Sequence, residues 1–370
     1  MKKKVINVTQ SYLPKYSAYK KYLKKIWKSH YLTNNGPILK ELEKQLKNEL
    51  KVKNIDIVSN GTIALQLALN SLNILEGEII TTPFSFVATT NAIIWERCTP
   101  IFVDIEPNNF GLDIDKIEDK ITKKTKAILI VYVFGYPSHV EEIQKIAKKH
   151  KLKLIIDGAH GFGAEYKGKS VFSYGDIVTC SFHATKIFHT IEGGACFVNC
   201  DEATEKKLNL IKKFGYEGQN YEYPGINAKI SEFNASMGLA IFPNIKKIIA
   251  KRKKLSELYD TNLKGVVTFP QKNKDLKYNY AYYPIIFSTE EELLKVFAEL
   301  NKSQIYPRRY FYPSLNKLKY ITYQSCPVSE DIAKRIACLP LDTYLTKNQV
   351  KNICKIICNT IKKERASNEH

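Results

Sequence analysis

Lys186 stands in the run Ser181-Phe-His-Ala-Thr-Lys-Ile-Phe-His-Thr-Ile-Glu-Gly-Gly-Ala195, just past an apolar stretch, and 29 residues after Asp157 of Ile155-Ile-Asp-Gly-Ala-His160. An amine with a carboxylate upstream, hydroxyls before it and a glycine pair after it can hold a carbonyl cofactor as a Schiff base. A conjugated ring then serves as the electron sink. For pyridoxal 5′-phosphate (PLP) five groups are needed: an amine, an acid for the pyridine nitrogen, a phosphate cradle, a ring-stacking surface and a partner for the phenolic oxygen. Lys186 is the amine and Asp157 the acid. Gly61 and Thr62 open a helix whose free N–H groups would meet a phosphate at the positive end of its dipole, and Ser181 adds a hydroxyl. Phe86, in Pro83-Phe-Ser-Phe-Val-Ala-Thr89, offers the stacking ring. His160, three residues past Asp157, can reach the phenolic oxygen.

Taken one at a time these residues have plainer readings. Asn-Gly-Thr is a common turn and helix start. An aspartate at a strand end is often a cap, and His160 and His183 read singly as satisfied loop histidines. Phe86 alone reads as core. Their order along the chain is what singles them out.

The elements that must position them follow from periodicity. Residues 37–50 and 62–72 read as helices, the first opened by Pro37. Short apolar runs at 78–82, 100–104, 127–133, 153–157, 176–181 and 195–199 read as strands, with helical patterns at 87–96 and 140–150 between them. This βα alternation predicts an α/β fold with a large, mostly parallel sheet covered on both faces. Ligands of such sheets sit at the carboxyl ends of the strands, where Asp157 and the 181–186 segment fall. A basic helix at 246–254 bridges to a smaller α+β region. That region contains a strand-like 266–270, the aromatic run 278–287, a helix at 290–301, the stretch 305–312 and a last helix at 347–362. The expected division is a PLP-binding domain with its N-terminal arm at 1–245, a small domain at 246–366 and a tail at 367–370 outside the fold.

Composition narrows the function. The chain has 370 residues, 44% of them apolar, enough for two cores. No apolar run is long enough to span a membrane, and the N-terminus lacks a signal-peptide core. The net charge is +20, but six of the 57 basic residues are Arg, and the lysines are spread over the whole chain. Arg is the preferred fork for phosphates and base edges, so this pattern argues against a nucleic-acid reader. A non-catalytic protein binding polyanions through this charge is the remote alternative. Eight scattered cysteines without a C-x-x-C pair read as reduced core thiols in a cytoplasmic protein, and no metal site is expected, although Cys354 and Cys358 lie four apart.

With these segments in place, the chain resembles the DegT/StrS-type sugar aminotransferases, a branch of the fold-type I, aspartate-aminotransferase-like PLP enzymes. The resemblance runs from Tyr31-Leu-Thr-Asn-Asn-Gly-Pro37 to Leu339-Pro-Leu341. It is carried by Ser59-Asn-Gly-Thr62, 83–89, Phe102-Val-Asp104, Asp157-Gly-Ala-His160, 181–194 and Gly225-Ile-Asn227. It implies that Lys186 carries the cofactor and shuttles the proton, that Asp157 binds the pyridine nitrogen and that Ser181 binds phosphate. It further implies a homodimer with shared active sites, in which Asn227 reaches the phosphate of the neighbouring subunit. Lys229 stands where many relatives have Arg, which puts a bidentate role there in doubt. The implied substrates are a nucleotide-linked keto-deoxysugar and L-glutamate. Arg308, Arg309 and Tyr310 of Tyr306-Pro-Arg-Arg-Tyr-Phe-Tyr-Pro313 are candidates to grip a diphosphate and pack a sugar or thymine ring; the alternative is a structural loop. Lys186 itself argues against the family's dehydratases, which carry His there. His183 in Ser-Phe-His-x-x-Lys resembles the family's 4-aminotransferases, which implies amination of dTDP-4-keto-6-deoxyglucose, with a 3-aminotransferase acting on a dTDP-3-keto-6-deoxyhexose as the alternative.

Overall fold

The computed structural model describes residues 5–271 and 273–368. The eleven α-helices among them are α1 (Tyr16–Ser29), α2 (Pro37–Leu50), α3 (Gly61–Ser71), α4 (Ala88–Trp95), α5 (Val140–Lys149), α6 (Glu202–Ile211), α7 (Glu232–Ile241), α8 (Ile245–Leu263), α9 (Glu290–Lys302), α10 (Pro327–Arg335) and α11 (Lys347–Asn368). The main sheet has seven strands: β1 (Asp56–Val58), β2 (Gly77–Thr81), β3 (Cys98–Phe102), β4 (Thr125–Val131), β5 (Lys153–Asp157), β6 (Ile177–Ser181) and β7 (Gly194–Val198). Its order is β1-β7-β6-β5-β4-β2-β3. Only β7 runs against the others, pairing antiparallel with both β1 and β6.

Period-two alternation within these apolar strands explains why both faces are covered. Ile128, Ile130, Leu154, Ile156 and Val178 join one core with residues of α2, α5 and α7. Their neighbours Ala127, Leu129, Ile155 and Ile177 join a second core with α3, α4 and α6. The doubly covered, mostly parallel sheet is the α/β architecture expected from the sequence. Two buried polar anchors tie the helices down. Glu232 at the start of α7 accepts from the Ile38 and Leu39 N–H groups, capping α2. Lys212 Nζ lies 2.6 Å from Asp56 Oδ1, both buried.

A third core joins α8, α9 and α11 to a two-stranded sheet of Pro284–Ile286 and Ile336–Cys338. Here the structure differs in detail from the sequence pattern. The basic helix extends to Leu263, because Leu255, Tyr259 and Leu263 continue its buried stripe. Residues 266–270 form no strand and make only a bridge between Thr268 and Ile286. The strand opening 305–312 ends at Tyr306, before Pro307, which has no N–H to donate. It pairs with Ile6–Asn7 near the start of the chain. Of the expected tail, residues 367 and 368 lie within α11, and 369–370 fall outside the described residues.

Candidate active site

A cavity of about 670 Å³ opens at the carboxyl end of the sheet. Gly61, Thr62, Phe86, Asp157, His160, Ser181, His183, Lys186, Arg308 and Tyr310, ten of the residues singled out by sequence, line it. They come from α3, the start of α4, the ends of β5 and β6, and the 308–311 loop.

The lysine is held by a rigid loop. After β6 the chain passes through Phe182 to Gly193 and returns as β7. Phe182 and Phe188 pack edge to face with centroids 5.0 Å apart, and Phe162 stacks on Phe188 at 4.6 Å. Asn234 clamps the far side by donating to the Thr190 and Glu192 carbonyls. The Lys186 amide donates to the His183 carbonyl, and its Nζ lies 3.3 Å from the Tyr282 hydroxyl. The glycine pair closes this loop onto α3. A Cβ on Gly194 would sit 2.6 Å from the Asn60 carbonyl, and one on Gly193 would run into Thr190 Oγ1. A larger residue at Gly194 would therefore push the lysine loop away from the start of α3.

At that end Asn60 caps α3, its Oδ1 accepting from the Ile63 N–H at 2.9 Å. A Cβ on Gly61 would meet Ser181 Cβ at 3.0 Å, so the hydroxyl of Ser181 and the first turn of α3 share one corner. Such a corner suits an anion.

Asp157 ends β5, 7% exposed. Its Oδ1 accepts from the Ala159 N–H at 3.1 Å and its Oδ2 from the Thr89 hydroxyl at 2.8 Å. Burial pushes its carboxyl up, opposed by these hydrogen bonds and by the Lys186 ammonium. His160 Nδ1 accepts from the Phe134 N–H at 3.2 Å, which leaves the ring proton on Nε2. Burial, with the charge of Lys186, holds this imidazole well below its ordinary range and therefore neutral. Phe86 is 59% exposed, so it is not the core residue its type suggests; its ring is free to cover a planar ligand. A buried carboxylate facing an amine, an anion corner and an open aromatic ring together fit PLP.

At the mouth, Arg308 Nη1 lies 3.3 Å from the Tyr310 hydroxyl, and His183 Nε2 lies 3.6 Å from Glu192. Three sequence candidates are placed elsewhere. Arg309 is turned away from the cavity: it pairs with Glu290 at 2.6 Å, donates to the Lys334 carbonyl and stacks on Tyr312 at 3.6 Å. Asn227 is exposed beside the short hairpin of Tyr216–Glu217 and Asn220–Tyr221, where it bridges to Lys213. Lys229 sits over the Phe214 ring at 4.7 Å. Ser85, Thr89, Glu192, Tyr282 and Phe311 line the cavity or brace it, and sequence reasoning assigned no role to them. Ser85 and Thr89 fall in the segment 83–89 and Glu192 in 181–194, both of which carry the resemblance, whereas Tyr282 carried no signal.

The fold is of the aspartate-aminotransferase type, and the residues lining the cavity fit PLP. The chain matches the DegT/DnrJ/EryC1/StrS aminotransferase family over residues 16–358 and belongs to that family. It is 40% identical to a dTDP-4-amino-4,6-dideoxy-D-glucose transaminase of Escherichia coli, covering 96% of this chain and 99% of that one. A transaminase of the same description from Shigella dysenteriae is 37% identical over 96% and 98%. Among solved structures, DesI in the presence of its TDP-sugar product superimposes with a TM-score of 0.92 at 25% identity, over 100% of this chain and 96% of that one. The cofactor is PLP.

Proposed function

We propose that this enzyme moves the amino group of L-glutamate to C4 of dTDP-4-keto-6-deoxyglucose, giving dTDP-4-amino-4,6-dideoxyglucose and 2-oxoglutarate. The observation that carries it is the convergence of Lys186, Asp157, the α3 corner and Arg308 on one cavity, in a chain similar to such transaminases over nearly its full length. When bound, PLP supplies an aldehyde to carry the amine and an electron-accepting ring. Lys186 Nζ binds it and moves the proton at the substrate carbon, as general base and then acid. Asp157 holds the pyridine nitrogen protonated. Gly61, Thr62 and Ser181 take the phosphate, Phe86 covers the ring and His160 Nε2–H donates to the phenolic oxygen. Arg308 and Tyr310 receive the nucleotide diphosphate, and His183 with Glu192 faces the sugar. Arg309 supports this loop from behind.

We place Asn227 and Lys229 at a neighbouring subunit's cavity in a homodimer, since both lie outside their own cavity in the segment that follows the exposed hairpin. We also place the enzyme in the cytoplasm, where its free thiols stay reduced. The test is incubation with PLP, L-glutamate and the 4-keto sugar, with product analysis by mass spectrometry and NMR. An amine at C4 is expected. No aminated nucleotide sugar would overturn the proposal, and faster amination of a 3-keto isomer would move the enzyme to the 3-aminotransferases.

A further inference from the structure

Thr89 and Ser85 do more than fill space behind the cavity. Thr89 lies in the first turn of α4 and Ser85 in the bend that leads into it. Thr89 is fully buried, Ser85 is 3% exposed and lines the cavity. Ser85 Oγ and Thr89 Oγ1 lie 2.8 Å apart, and Thr89 Oγ1 lies 2.8 Å from Asp157 Oδ2. An ionised carboxylate can only accept, so the single Thr89 proton goes to Asp157, and Ser85 must then donate to Thr89. The two hydroxyls form a polarised chain that ends on the carboxylate. The Ala159 N–H holds the other oxygen. With one donor on each oxygen, the plane of the carboxylate is fixed.

We infer that Thr89, backed by Ser85, is a positioning residue that keeps Asp157 ionised and aligned on the cofactor's pyridine nitrogen. This rests on the reading of Asp157 given above. Asp157 sits in a site where burial favours its neutral form, so an ionised carboxylate needs donors. Thr89 supplies a short one from a helix rather than a mobile loop. The same stretch carries Phe86, so the surface that covers the ring and the clamp on its acid are set by one piece of backbone. A small shift of α4 would displace both together.

The test uses PLP labelled with ¹⁵N in its ring, bound to the full chain, with the pyridine nitrogen's chemical shift followed against pH. Thr89→Val keeps the shape and removes the hydroxyl. Without that donor the carboxylate is the stronger base and the proton passes more readily from ring nitrogen to Asp157, so the nitrogen's titration curve should be displaced towards the unprotonated signal even where the parent nitrogen is protonated. In the glutamate half-reaction kcat should fall about tenfold with KM little changed. Thr89→Ser should restore both, and Ser85→Ala should shift the titration in the same direction by less. Asp157→Asn separates the two levels of the account. If Asp157→Asn alters the nitrogen signal and Thr89→Val does not, the role of Thr89 is overturned while that of Asp157 stands. If Asp157→Asn leaves the signal unchanged, the reading of Asp157 itself fails. Should Thr89→Val fold poorly, Thr89→Ser and Ser85→Ala with the same readout decide the matter: an unchanged Ser85→Ala titration removes the relay.

Discussion

The inner and outer walls of the cavity are built on different terms. The inner wall is Asp157, Thr89 and His160, with nearly every polar atom given a partner by the protein: Ala159 and Thr89 for the carboxylate, Phe134 for the imidazole. The outer wall is Phe86, His183, Glu192 and Arg308, largely exposed side chains on loops. Preorganised donors in a buried setting act on the chemical step, whereas mobile groups at a mouth act on capture and fit. With the roles proposed above, electron-sink chemistry falls to the sheet and choice of sugar to the loops.

Substitutions on the two walls should therefore fail differently. Lys186→Ala should have the largest effect, lowering turnover by on the order of 10⁴-fold and abolishing the visible absorbance of lysine-bound cofactor. Asp157→Asn should follow, with kcat down on the order of 10²-fold and KM for the sugar nearly unchanged. Arg308→Ala should reverse that pattern, raising KM for the nucleotide sugar about tenfold while the glutamate half-reaction keeps its rate. A kcat loss without a KM change would move Arg308 to the inner wall. Arg309→Ala should be mildest for catalysis. It breaks the pair with Glu290 and should lower stability by about 1–3 kcal/mol, read as a fall in Tm, with kcat and KM near the parent values.

The same contrast governs what could be read in the sequence. Strands β2 to β7 and their helices were legible because apolar runs alternate with amphipathic ones, and strand ends predict where ligand groups fall. Hence Asp157, Ser181 and Lys186 were visible by position alone. Glycines 193 and 194 were visible as a pair, but their reason, contact with Asn60 and Thr190, is a three-dimensional one. Tyr282 was hidden in the aromatic run 278–287, because nothing in that run marks which ring faces the lysine. The two adjacent arginines looked equivalent. Pairing of Arg308 with Cys338 across backbone hydrogen bonds sends successive side chains to opposite sides, one to the cavity and one to Glu290. Helices α1, α6, α7 and α10 went unread. The apolar stripe of α1 is made largely of tyrosines set among lysines, and α7 is buried on nearly all sides, so it shows no one-faced pattern.

Of the 51 lysines we assign the chemistry to one amine, that of Lys186. Borohydride reduction of the PLP-loaded enzyme, followed by proteolysis and mass mapping, fixes the cofactor to whichever lysine holds it. The label is expected on the peptide containing Lys186 and should be lost in Lys186→Ala; a label on any other lysine would contradict the assignment.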